Sequence, residues 1–100
     1  MNKTSKSKEA KGYFDEYRKA KIQVEYLKAT GSNEEDKINT YIAYIKLIDE
    51  ILNSLDKKNK EMLIDLFLED NEDILKKQYT YTVFYQKKRK AIKEFLYYVL

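Results

Sequence analysis

Between Tyr79 and Lys93 the chain places Tyr81, Thr82, Tyr85, Gln86, Lys88 and Arg89 in a run that contains no carboxylate. These side chains suit recognition of a polyanion better than bond-breaking chemistry. Lysine neutralises phosphate as a point charge, arginine and glutamine offer paired hydrogen-bonding atoms to base edges, and hydroxyls reach phosphates. Lys76, Lys77, Lys87 and Lys90 add charge on either side, so residues 74–93 hold seven lysines and arginines and no acid. Residues 61–73, immediately before, hold six acids and no base. The net charge is only +3, so the signal lies in the distribution and not in the sum.

The residue types that are missing narrow the function classes. With no cysteine and no histidine, disulfides, zinc fingers, thiol chemistry and imidazole acid–base catalysis are excluded. No glycine-rich phosphate loop or nucleophile elbow is present either. From these absences no enzymatic activity and no cofactor are expected, and no metal either, because Asp70 and Asp73, or Glu69 and Asp73, lack EF-hand spacing. The N-terminal stretch has no apolar run of the signal-peptide kind, and no segment approaches the roughly 18 apolar residues of a membrane span. A cytoplasmic location away from the membrane is the expectation. Lysine supplies all the basic residues except Arg18 and Arg89, a bias that AT-rich codons would produce.

The elements that must position the basic run follow from hydrophobic spacing. One hundred residues suffice for one modest core, and the lack of proline with only two glycines disfavours hairpin-rich β folds. An all-α fold is expected. Residues 1–8 read as a flexible basic tail. Tyr13, Tyr17, Ala20, Val24 and Leu27 then step by threes and fours over a helix at 9–29, with Phe14 beside the seam. Thr30-Gly31-Ser32 breaks it, and Ser32 with Glu35 forms a capping box for a second helix, about 33–55. Its stripe is Ile38, Tyr41, Ile45, Ile48, Leu52 and Leu55, broadened by Ile42 and Ile51. Together, 9–55 should make an antiparallel helical hairpin that serves packing or dimerisation.

Residues 56–100 read as a three-helix helix-turn-helix unit. Asp56 caps a helix over 57–69 whose inward side is Met62, Leu63, Leu66 and Phe67. Asn71 caps a short helix through Gln78, with Ile74 and Leu75 inward. Thr80 caps the last helix, about 81–99, which buries Phe84, Ala91, Ile92 and Phe95 and offers the basic face outward.

Leu55–Tyr98 resembles the helix-turn-helix of sigma-70 region 4 and of ArpU/RinA-type phage transcriptional regulators. It looks closest to the small sigma-region-4-like proteins of wall-less, AT-rich bacteria. The matching features are Leu55-Asp56, Met62-Leu63 and Phe67. They continue in Tyr79-Thr80-Tyr81-Thr82-Val83-Phe84-Tyr85-Gln86 and in Lys90-Ala91-Ile92-Lys93-Glu94-Phe95. Gln86 stands where the family has arginine, Val83 replaces a hydroxyl residue, and the turn at 78–80 lacks glycine. The resemblance implies a DNA-binding transcription regulator or sigma-factor-like protein. Tyr81, Thr82, Tyr85, Gln86 and Arg89 would face the major groove, and RNA polymerase is an implied partner.

On that reading Arg89 can pair with guanine and Gln86 with adenine, while Lys76, Lys77, Lys87, Lys88 and Lys90 meet phosphates of double-stranded DNA. A homodimer through the helical hairpin would match palindromic half-sites. The competing reading is a helical protein–protein interaction module without DNA binding, using tyrosines and the apolar end Tyr97, Tyr98, Val99 and Leu100.

Overall fold

Five helices account for most of residues 3–100, the part of the chain that a computed structural model describes, with side chains from Lys6 onward; no strand occurs among the described residues. They are α1 (Lys3–Ala29), α2 (Glu35–Ser54), α3 (Lys57–Leu63), α4 (Glu72–Gln78) and α5 (Tyr81–Val99), and a π-helical turn, Ile64–Leu68, extends α3. The all-α expectation holds, with α1 and α2 pairing as a hairpin ahead of the three shorter-spaced helices. α1 begins earlier than expected: residues 3–8, read from sequence as a tail, continue the helix. Ala10 and Phe14, both fully buried, hold that end down. The other two residues of the expected tail lie outside the described residues.

The expected turns form by partly different means. Gly31 sits at φ +66°, the left-handed conformation that stops α1. The capping box does not form. Instead the Ser32 hydroxyl accepts from the Glu34 N–H at 3.2 Å, and α2 starts at Glu35 without a side-chain cap. Asp56 caps α3 as expected, accepting from the Lys58 N–H at 3.0 Å, and Thr80 caps α5 by accepting from the Val83 N–H at 3.3 Å. Asn71 makes no side-chain cap on α4; its N–H donates to the Asp65 carbonyl at 2.8 Å, which folds the acidic loop back on the π turn. Ile74 is another correction, because it is more than half exposed while Leu75 is buried. Adjacent residues diverge by about 100° on a helix, so so short a helix buries only one of them.

A single apolar core runs through the base of the hairpin and all three later helices. Phe14 lies at its centre, stacked on Phe67 at 5.4 Å and on Phe95 at 4.8 Å between ring centroids. Phe84, Ala91, Ile92 and Phe95 are buried as the spacing requires, and Leu96 joins them. The hairpin base is tied by polar groups as well. The Tyr17 hydroxyl donates to Asp49 at 2.6 Å, and the Tyr44 hydroxyl donates to the Tyr13 carbonyl at 2.9 Å. Burial, reinforced by the Asp49 carboxylate, pushes the Tyr17 phenol above its ordinary value of 10.0. A raised acid of this kind stabilises the fold below that pH, and the contribution is lost as pH climbs through the folded-state value.

Beyond the base the hairpin projects, giving extents of 50 × 27 × 26 Å. The Cα radius of gyration is 15.4 Å, against about 13 Å for a compact chain of this length. Ile38, Tyr41 and Ile42 on the projecting part are only half-buried, while Ile45, equally half-buried, packs against the core.

Arg18 has a structural role. Its guanidinium donates to the Phe67 carbonyl at the end of the π turn and lies 3.5 Å from Asp70, which adopts a left-handed φ of 53°. A cation here satisfies a carbonyl that the helix end leaves without a partner.

Candidate nucleic-acid interface

α5 carries most of the residues singled out from sequence, and its helical period sorts them into two groups. Ten residues after its start, Ala91 and Ile92 meet the core, and Phe84 and Phe95 flank them on the same side. Lys88 falls four residues after Phe84 and seven before Phe95, so it belongs to the buried stripe. Its side chain is only 18% exposed, its ammonium lies 3.2 Å from Glu72, and it also sits over the Tyr85 ring at 5.7 Å. Tyr85, seven residues before Ile92, is half-buried and packs edge-on against Phe84 at 4.9 Å. Lys87 is half-buried as well, its ammonium 5.4 Å from the Tyr79 ring centroid. These three residues, expected on an open face, are thus partly withdrawn by packing.

The outward face is narrower and longer than the sequence reading. Thr82, Gln86, Arg89 and Lys90 are exposed, and so is Lys93, which the sequence reading left out. At about 100° per residue, Thr82, Gln86, Lys90 and Lys93 lie within roughly 80° of arc, with Lys93 two turns beyond Gln86. That seven-residue spacing was the available signal for Lys93. Arg89, Lys90 and Lys93 make no ion pair among the described residues. Tyr81 is 79% exposed and leans on Tyr85 at 4.7 Å. Lys76 and Lys77, exposed in the last turn of α4, flank the start of α5, and the Lys76 ammonium lies 6.0 Å from the Phe84 ring.

The turn between α4 and α5 needs no glycine. Tyr79 and Thr80 are both extended, at φ −121° and −64°, conformations open to any residue. α5 is fixed against α3 by its own acid: a Glu94 carboxylate oxygen accepts from the Asp56 N–H and from the Asn59 side-chain amide, both at 3.0 Å. Asn59 is buried, so this contact satisfies its amide inside the fold. The acidic stretch also turns inward in part, Glu72 meeting Lys88 and Asp70 meeting Arg18. The resulting surface is a helix held along one side whose free side is cationic, with Asp56, Glu61 and Asp65 bordering it across a cleft that Lys87 and Lys90 share.

Comparison with known proteins adds one relative. The chain is 32% identical over 65 residues to the uncharacterized phage-related protein Lin1259/Lin1739 of Listeria innocua, a match covering 62% of this chain and 46% of that protein. The chain therefore spans about half the length of the curated relative it matches. No protein-family profile matches it, and no solved structure does.

No helix among the described residues is long and apolar enough to cross a membrane.

Proposed function

We propose that this chain is a helix-turn-helix protein that binds double-stranded DNA in the cytoplasm and regulates transcription, with the outer face of α5 laid in the major groove. One observation carries the reading. Thr82, Gln86, Arg89, Lys90 and Lys93 share the solvent side of a helix anchored along its opposite side, and no acid pairs with Arg89, Lys90 or Lys93 among the described residues. A helix presented in this way meets the geometric demand of groove reading, while Lys76 and Lys77 stand where the strand bordering the groove would pass. The resemblance to sigma-70 region 4 and to ArpU/RinA-type regulators supports the same function, and a phage-related relative is in keeping with it. A sigma-factor-like role, with RNA polymerase as partner, is the stronger form of the proposal.

The test is binding-site selection from a random duplex pool, followed by titration of the selected site across salt. Each phosphate neutralised contributes about 0.9 to the slope of log K against log salt. A selected motif bound with a slope of several units supports the proposal. Failure to enrich any motif, with salt-independent retention of the pool, sinks it.

A protein-binding role has its own observation in favour. Tyr97 and Leu100 are 79% and 82% exposed at the end of α5, and Ile22, Tyr26 and Leu47 are exposed on the hairpin. We propose that a second copy covers the hairpin, since a twofold dimer matches paired half-sites. Sedimentation of the chain with Ile22→Lys and Leu47→Lys against the unaltered chain tests that contact.

A further inference from the structure

The first half of α5 has a neighbour that the helix-turn-helix reading leaves out. The N-terminal part of α1 runs beside it, and Ser7 lines a cleft of about 440 Å³ together with Tyr81, Thr82, Tyr85 and Arg89, floored by Ile92. The remaining wall is Lys88, whose charge is already met by Glu72. Among the described residues no carboxylate lines this cleft, and the acids Asp70, Glu72 and Asp73 line a neighbouring cleft on the other side of Ser7 and Lys88. Besides the Lys88 ammonium, its polar groups are hydroxyls and a guanidinium with no acid partner among the described residues, and its walls are two tyrosine rings. That combination suits a phosphodiester: hydroxyls donate to its oxygens, a guanidinium meets its charge, and the adjoining sugar packs on aromatic faces.

Arg89 is also displaced from the centre of the outward face. It lies roughly 60° round the helix from Gln86 on the side of α1, whereas Lys93 lies within about 20° of Gln86. We propose that Ser7, Tyr81 and Arg89 form a clamp for one backbone phosphate at the edge of the groove. Arg89 then holds register without reading guanine, and sequence discrimination falls to Thr82, Gln86 and Lys93. The proposal rests on the DNA-binding reading above and adds α1 to the interface.

Binding-site selection and salt titration of the variants test it. Arg89→Gln weakens the selected site and scrambled duplexes alike, by about tenfold, lowers the salt slope by about one, and leaves the selected motif unchanged. Arg89→Lys restores most of the affinity, because a phosphate accepts a point charge where a bidentate base contact does not. Ser7→Glu, at a half-buried surface position, places a carboxylate in the cleft and reproduces the uniform loss, with a melting curve confirming that the fold is intact. Loss of preference at one base position in Arg89→Gln overturns the clamp while leaving DNA binding in place. So does a Ser7→Glu protein that melts normally and binds unchanged. Replacing chloride by inorganic phosphate at constant ionic strength leaves duplex binding unaltered if the clamp takes the polymer backbone; selective competition by free phosphate assigns the cleft to a small anion and overturns the proposal. An unaltered chain that enriches no motif and shows no salt dependence defeats the DNA reading itself, a result separate from all of these.

Discussion

The two sides of α5 differ in what they are held by. The inner side is fixed by three kinds of contact at once: aromatic packing through Phe84 and Phe95, an ion pair through Lys88, and a carboxylate tether through Glu94. The outer side, from Thr82 to Lys93, touches solvent and makes no ion pair among the described residues. On the proposed DNA-binding reading, one helix thus separates stability from recognition by about half a turn. Substitutions on one side should change melting and leave recognition alone, and those on the other should do the reverse.

The strongest challenge to that division is Phe95→Ala. The ring is fully buried between Phe14 and Tyr13, which meets it edge-on at 5.9 Å. Its removal should cost about 3–5 kcal/mol of unfolding free energy, a large part of the stability of so small a domain. Urea titration followed by circular dichroism measures it. A loss under about 1 kcal/mol would mean that the core near Phe14 is not closed as described.

Glu94→Ala comes next. The carboxylate serves the Asp56 N–H and the buried Asn59 amide, and its loss strands the amide away from water. A cost of about 1–3 kcal/mol is expected. Asn59→Leu in the same background should recover part of it, because the stranded polar group is then gone. An additive result from the double substitution would show that the two side chains do not depend on each other.

What was legible in the sequence divides along the same line. The buried stripe of α5 could be read because burial repeats with the helix period, and Asp56, Thr80 and Gly31 could be read because a cap or a stop depends on residues within three positions. Lys88 and Tyr85, expected on the open face from a basic and aromatic run, are half-buried, because register and not composition decides exposure. Register alone places both on the core side. The partner of the half-buried Lys88, Glu72, lies sixteen positions away, and only tertiary structure brings it near. The same holds for Arg18 on the Phe67 carbonyl and for Ser7 and Arg89 lining one cleft, juxtapositions that no local spacing encodes. Asn71 and Ile74 failed for a different reason. A seven-residue helix has too few positions for periodicity to choose a face, and a loop folded back on the π turn removes the need for a side-chain cap.

On the outer side, Gln86→Ala should alter recognition without altering the fold. The side chain is exposed, so stability should stay within about 0.5 kcal/mol of the parent. If it reads adenine, discrimination at one position of the selected motif should fall by about 1–3 kcal/mol. A motif unchanged at every position would move the reading contacts to Thr82 and Lys93.

The smallest effect is expected where the two sides meet. Lys88 carries a positive charge inside the basic run, but its ammonium faces Glu72, whose side chain is 41% exposed. Solvent screening limits such a pair to at most about 1 kcal/mol. A double-mutant cycle of Lys88→Met and Glu72→Gln should return a coupling of that size in the urea midpoint. The salt dependence of DNA binding is the more telling readout. If Lys88 is committed to Glu72, Lys88→Met leaves the slope of log K against log salt unaltered, whereas a lysine on phosphate would lower it by about 0.9. Glu72→Gln then becomes informative in the opposite sense. Releasing the ammonium beside the Arg89 cleft should raise affinity for every duplex if the proposed clamp holds, because a cation that the fold had neutralised is then returned to the edge of that cleft. A lowered slope in Lys88→Met with no coupling in the cycle would place Lys88 among the recognition residues and move the boundary between the two sides of α5 by a full register position.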